Sequence, residues 1–296
     1  MTDLQGRRRD WMQWGFVGPA LLLLIGMNVF PLIYSIALSF TNADLVGGEW
    51  KFVGGLNYKS VFKFAKYGQA LRTTALFVFL AVAIELMLGF ALALALKDRF
   101  KGKGLVLTAL LVPMMLPQAV IALFWKLVLN GHYGILNQVL DGLGLGQPQW
   151  ITDPHLKLFS LVMVDVWMWT PFMMLISLAA LNAIPGYIYE AAAIDRASRW
   201  RVFCRITLPM CTPLLGLAVL LRATDALKQF DLVMAITGPN DPATQTLSAL
   251  LYQAVFRDGK VGLGAAYSYV ILVLVIALAS VFLRYMDSLQ NQEEKG

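Results

Sequence analysis

Long apolar runs separated by polar, charged stretches set the pattern of this chain, and six such runs fall roughly at 16–40, 71–96, 105–129, 156–181, 209–227 and 263–283. Each is long enough to cross about 30 Å of hydrocarbon as a helix that satisfies its own backbone hydrogen bonds. The pattern predicts an all-α membrane protein of six transmembrane helices. A membrane domain over 14–287 lies between a short N-terminal segment, 1–13, and a polar tail, 288–296. Several runs carry residues that lipid does not favour: Glu85 in the second, Pro113 and Pro117 breaking the third, Asp165 and Pro171 in the fourth. Arg222, Asp225 and Lys228 lie at the end of the fifth. The connecting stretches 41–70, 130–155 and 230–262 read as moderately long loops on the external side, a surface suited to receiving something from outside.

Composition agrees, because 58% of the 296 residues are hydrophobic and only 14% charged, too apolar for an ordinary soluble domain. The formal charge of +6 is concentrated in Arg7, Arg8 and Arg9, in Lys97, Arg99, Lys101 and Lys103, and in Arg196, Arg199, Arg201 and Arg205. With six spans all three clusters share one face, which the positive-inside rule makes cytoplasmic, together with both termini. Lys51, Lys59, Lys63 and Lys66 in the first external loop run against the rule and are outvoted. The arginines at the start precede a full-length span, so a retained helix is expected rather than a cleaved leader. No aromatic-basic module points to nucleic acid. Cys204 and Cys211 lie at the cytoplasmic entry to the fifth span, a reducing side where no disulfide is expected, and they lack the nearby histidine pair of a zinc site, His132 and His155 lying far off. Gly142, Gly144 and Gly146 are followed by neither the lysine nor the hydroxyl of a phosphate-binding loop. If ATP drives the protein, another chain binds it.

One segment looks made for a soluble partner: 190–209, reading EAAAIDRASRWRVFCRITLP. Glu190, Ala191 and Ala192, then Asp195, then Ile206, Leu208 and Pro209 before the fifth span, resemble the EAA loop of binding-protein-dependent ABC importer permeases. The resemblance implies a type I importer core in which the loop, about 186–209, forms a short cytoplasmic helix and a turn that dock on an ATPase subunit. The residue types suit docking. Pro185 favours a first helical turn, small alanines allow close approach, and Glu190 offers a carboxylate to a partner arginine. Pro209 opens the next span, where a missing N–H costs little. The family usually carries glycine just after the aspartate, where this chain has Arg196; an amphipathic loop resting on lipid is the competing reading.

Further stretches narrow the branch. The segment 52–62, FVGGLNYKSVF, with Arg72, Thr73 and Thr74 behind it, resembles the G-L-x-N-Y region of carbohydrate-type permeases, and 230–256 resembles their F-D to T-G-G-G-P stretch, with Asn240 and Asp241 replacing part of the turn. The resemblance implies a permease for a sugar or sugar derivative in the bacterial inner membrane, paired with a second permease, two ATPase subunits and an external solute-binding protein. Its own cofactors would be none, with ATP and Mg on the ATPase subunits, and the chain itself would not be an enzyme.

For substrate, Asp165, Met168, Trp169 and Phe172 recur at helical spacing, as do Arg222, Asp225 and Gln229 around the end of the fifth span. Rings beside hydrogen-bonding groups are what a sugar needs, and in the family these two helices line the cavity. Packing is the favoured reading of each aromatic, and Asp165 and Arg222 can equally well pair across helices. An unpaired Arg222 would suit an anionic sugar, while one neutralised by Asp165 or Asp225 says nothing about charge. Lys126 and Lys228 read as interfacial anchors and Glu85 as a buried polar bond between helices. The rival from another class is an ion-coupled secondary transporter of a small polar solute, with Asp165 or Glu85 carrying the ion.

Overall fold

The structure, a computed structural model, describes residues 3–47 and 49–293, with side chains described for 14–47, 49–284 and 286. Of the expected tails, residues 1, 2 and 294–296 lie outside the described residues. Residues 3–13 and 288–293 continue terminal helices instead of forming separate tails, and the side chains of Arg7, Arg8 and Arg9 are outside those described. Among the described residues the regular secondary structure is helical apart from one isolated antiparallel bridge, Thr41 with Phe52. Five helical runs are long and apolar enough to span a bilayer: Trp14–Ser39, Ala65–Ala95, Lys157–Ala183, Arg199–Ala226 and Val261–Arg284.

The third apolar run is not a straight helix. It forms α5 (Lys103–Met115) and α6 (Gln118–Val128), which meet at 96°. Pro117 causes the break: Leu116 before it is extended at ψ 146, as a residue preceding proline prefers, and Pro117 caps α6. Pro113 lies inside α5 without ending it. Counting the bent pair as one span gives six.

The chain divides into two compact units, one of residues 1–64 with 254–270 and one of 65–253 with 271–296. In the first, α1 (Asp3–Leu24), a π turn (Ile25–Val29) and α2 (Phe30–Ser39) make the first span, followed by α3 (Leu56–Lys63). The G-L-x-N-Y segment fastens its end. Asn57 Nδ2 donates to the carbonyls of Ser39 and Thr41, each at 2.8 Å, and Tyr58 shares a hydrogen bond with Ser39 Oγ, also at 2.8 Å. The Ser39 carbonyl is one that a helix end leaves without a partner, and Thr41 lies just past the cap of α2.

In the second unit α4 (Ala65–Ala95), α8 (Lys157–Ala183) and α11 (Leu208–Ala226) form the core, with α4 against α8 the most extensive contact. Phe77, Val82, Ile121, Leu161, Val164 and Met173 fill one end, and Leu96, Met174, Leu181, Cys211 and Leu215 the other. Close approach depends on Gly89: a Cβ there would lie 2.5 Å from Met173 Cβ and 2.8 Å from Met174 N. Small residues set such helix crossings where lipid supplies no hydrophobic drive. Gly89→Ala is expected to lose about 1–3 kcal/mol by overpacking, read as a lower thermal midpoint in detergent. Gly68→Ala on the same helix, with open space around it, should leave the midpoint unchanged or raised.

All three expected loops carry structure, the first of them α3. In 130–155, α7 (Ile135–Gly142) is held by buried Asn137, which donates to Gly131 O and Pro148 O and accepts from Trp150 Nε1 at 2.7 Å. Gly144 and Gly146 have φ of 73° and 80° and serve the turn that ends α7. The larger correction concerns 230–253, expected as open surface. It folds back as a π turn (Val233–Thr237) and α12 (Leu247–Tyr252), burying Leu232, Val233, Thr244, Leu247 and Ala249 completely or nearly so. Leu247 N donates to Thr74 Oγ1 at 3.0 Å, Lys126 Nζ to Ala235 O at 2.8 Å, Gln69 Nε2 to Pro242 O at 2.8 Å, and Lys157 pairs with Asp241. Lys126, expected as a lipid anchor, is thus a clamp on this segment. The last helix, α13, runs over Val261–Glu293.

Candidate functional site

The coupling-loop candidate is helical. Pro185, with φ −62° and ψ 135°, stands at the N-cap rather than in the first turn, and α9 (Gly186–Ile194) follows. Glu190, Ala191 and Asp195 are exposed, whereas Ala192 is buried against the chain. The helix ends on a left-handed residue. Arg196 has φ 50°, its N–H donates to Ala193 O at 3.1 Å, and Ala197 N donates to Ala192 O at 3.0 Å. This pair of bonds is the Schellman turn, in which glycine is usual because a side chain costs about 1–2 kcal/mol there. The turn expected for glycine therefore forms with arginine in it.

Ser198 Oγ then accepts from Arg201 N at 3.3 Å and starts α10 (Arg199–Val202), as N-cap serines do. A π turn over Phe203–Thr207 leads without interruption into α11, so the fifth span is helical from Arg199 and not only from Pro209. The wider turn suits Pro209: Leu208 N bonds back to Phe203 O, and the proline one position later has no N–H to place. Ile206 is half-buried and Leu208 exposed. Tyr189 ties the loop to the bundle, its hydroxyl 3.2 Å from Thr207 Oγ1 and its ring 4.1 Å beneath Lys97 Nζ. An open groove of about 370 Å3 runs along the loop, lined by Tyr187, Ile188, Ala191, Asp195, Arg201 and Ile206.

The substrate candidates meet in the bundle core, and they meet each other. Arg222 on α11 is 2% exposed and pairs with Asp165 on α8, while its Nε lies 3.0 Å from Glu85 Oε2 on α4. Glu85 and Asp165 are both 0% exposed. Arg222 Nη1 reaches Asp225, half-exposed, at 3.4 Å. Gln229 Nε2 donates to Asp165 Oδ1 at 3.1 Å, and its backbone carbonyl accepts from Thr246 Oγ1 at 2.9 Å, so the cluster also pins the buried 230–253 segment. Glu85, read from sequence only as a helix-to-helix bond, is a full member.

Trp169 lies against the cluster with Arg222 Cζ 4.9 Å from its ring, a cation–π contact, and meets Phe172 edge-on at 6.2 Å. Its Nε1 has no hydrogen-bond partner among the described residues. Met168 is buried in the apolar core. Of the sequence candidates, Asp165, Trp169, Arg222, Asp225 and Gln229 converge, Phe172 flanks them, and Met168 packs behind. Three carboxylates surround one guanidinium, so Arg222 is not a free receptor for an anion.

The two cysteines are unpaired, Cys211 buried and Cys204 half-buried. No group of three His, Cys, Asp or Glu able to hold a metal ion occurs among the described residues.

Comparison with known proteins places this arrangement. The chain is 35% identical over 266 residues to the trehalose/maltose transport system permease protein MalF of Thermococcus litoralis, covering 90% of each. It is 29% identical over 286 residues to the sulfoquinovosyl glycerol transport system permease protein SmoG of Agrobacterium fabrum, covering 93% of each. In fold it matches a chain of a bacterial ABC transporter involved in the import of the acidic polysaccharide alginate, with a TM-score of 0.84 at 20% identity over 97% of this chain and 99% of that one. Residues 85–291, from the buried Glu85 through the coupling loop to the last helix, match the family described as binding-protein-dependent transport system inner membrane component, and the chain belongs to that family.

Proposed function

We propose that this chain is one of two permease subunits of an importer for a sugar or sugar derivative, the translocation path opening alternately to either side as partner ATPases bind ATP with its Mg and release it. ATP hydrolysis belongs to those separate subunits, and the substrate arrives on an external binding protein. The carrying observation is similarity over nine-tenths of the chain to a disaccharide permease. Both termini and the α9 loop face the cytoplasm. In support, Lys97 stacks on Tyr189, bringing the 97–103 and 196–205 basic clusters to one end of the bundle, as the positive-inside rule requires. Coupling runs through Glu190, Ala191, Ala192, Asp195 and Arg196 to α11 by way of Ile206, Leu208 and Pro209.

For the substrate, Trp169 and Phe172 are the contact surface, with Asp165, Arg222, Asp225 and Gln229 holding it in position. The experiment is uptake by the complete complex in proteoliposomes with ion gradients collapsed. ATP-dependent uptake of a disaccharide is the expected result, and uptake driven by an ion gradient without ATP would replace this reading with a secondary transporter. In the same assay Trp169→Ala is expected to weaken uptake several-fold, since a ring contact contributes about 0.5–1.5 kcal/mol beyond burial; unchanged half-saturation and rate would remove Trp169 from the path.

A further inference from the structure

Arg196 is the one non-glycine residue at positive φ among the described residues. The turn it sits in needs only backbone: the N–H groups of Arg196 and Ala197 and the carbonyls of Ala193 and Ala192. Glycine supplies these at no steric cost. The arginine side chain is exposed, and it has no ion pair or hydrogen bond among the described residues. Nothing inside the chain therefore offsets the unfavourable backbone, and strain of this kind persists where a site uses it. Arg199, Arg201 and Arg205 are also exposed with no carboxylate within ion-pair distance among the described residues. Glu190 stands on the short helix α9, and Asp195 at its end lines the open groove. The four arginines would attract anionic lipid as well as a protein, but Glu190 and Asp195 interleaved with them make a two-sign pattern that only a protein surface can complement.

We propose that Arg196 is a partner-recognition residue: its guanidinium pairs with a carboxylate on the ATPase subunit, and the left-handed turn aims it outward from the end of α9. The proposal rests on the docking role of this loop and adds the chemistry by which one ATPase is told from another. Arginine suits the task because its planar fork binds a carboxylate through two parallel hydrogen bonds, which lysine cannot do.

The test uses the assembled complex, with ATPase dissociation measured over a salt series in neutral detergent and in vesicles containing phosphatidylglycerol. Arg196→Gly and Arg196→Asn keep a residue that accepts positive φ and remove the charge. Both are expected to leave the permease as thermally stable as the parent, or more so, while weakening ATPase association about tenfold and flattening its salt dependence; Arg196→Lys should fall between. Association equal to the parent for both neutral variants overturns the proposal, as does a loss confined to phosphatidylglycerol vesicles, which assigns the side chain to lipid. Glu190→Lys separates the two levels. Detachment in that variant with none in Arg196→Gly sinks this inference alone, whereas tight association in Glu190→Lys sinks the docking role itself.

Discussion

Replacing Arg222 with methionine is expected to cost the permease about 3–5 kcal/mol and most of its assembled yield, because two fully buried carboxylates lose the cation they share. Methionine fills a similar volume, so the loss is electrostatic rather than a cavity. The informative comparison is the triple variant Arg222→Met, Glu85→Gln, Asp165→Asn. With the charges removed together no ion is stranded, and stability should return to within about 1–2 kcal/mol of the parent, since neutral replacement of buried ion clusters is often tolerated. Asp225→Asn should change little, because Asp225 is half-exposed and its 3.4 Å contact is screened by water. Thermal midpoints in detergent and the yield of intact complex read all three. A single Arg222→Met variant as stable as the parent, or a triple variant as unstable as the single, would show that the cluster does not tie α4, α8 and α11 together.

Why the cluster was only half legible follows from where its members lie. Asp165 and Arg222 each stand out as charges in apolar runs, and mutual pairing is the cheapest arrangement for such groups in lipid. Glu85 stands out equally, but its partner is 137 positions away, and hydropathy carries no information on which helices touch. The spans themselves were readable because crossing a bilayer forces long apolar runs. The third run is the exception: its prolines mark the break, which falls at Pro117, but the 96° angle between α5 and α6 is not written in hydropathy.

The segment 230–253 misled because Thr, Gln, Asn and Asp read as surface residues. Here Asn240 and Asp231 do stay exposed, but the threonine and glutamine side chains are satisfied inside the fold, Thr246 by the Gln229 carbonyl and others by one another, as in Thr237 with Thr244 at 2.7 Å and Gln245 with Gln253 at 2.8 Å. Burial of polar residues is inexpensive once every donor has a partner. The coupling loop was the most legible feature, since its helix, turn and proline are local devices. Even there, the sequence pointed to a turn at 196 without showing that arginine would hold a left-handed conformation.

Glu190→Lys is expected to abolish ATP-driven uptake while leaving the permease folded. Glu190 lies in the middle of α9, exposed, and its side chain makes no hydrogen bond or ion pair among the described residues. Lysine propagates a helix about as well as glutamate, so α9 and the Schellman turn behind it should survive, and the thermal midpoint of the isolated permease should move little. The effect is confined to the interface. A carboxylate that meets a cation in a partly dehydrated cleft contributes through a charge-assisted bond, and reversing its sign sets like charges against each other, a change of several kcal/mol. At about 1.4 kcal/mol per tenfold, that lowers ATPase association by at least two orders of magnitude. Glu190→Gln keeps shape and hydrogen-bonding capacity without charge and should lose roughly tenfold. Co-purification of the ATPase subunits and substrate-stimulated hydrolysis measure both steps. If the lysine variant retained both ATPases and imported sugar at the normal rate, α9 would not be the link through which ATP moves the membrane helices, and the force would have to enter elsewhere in the chain.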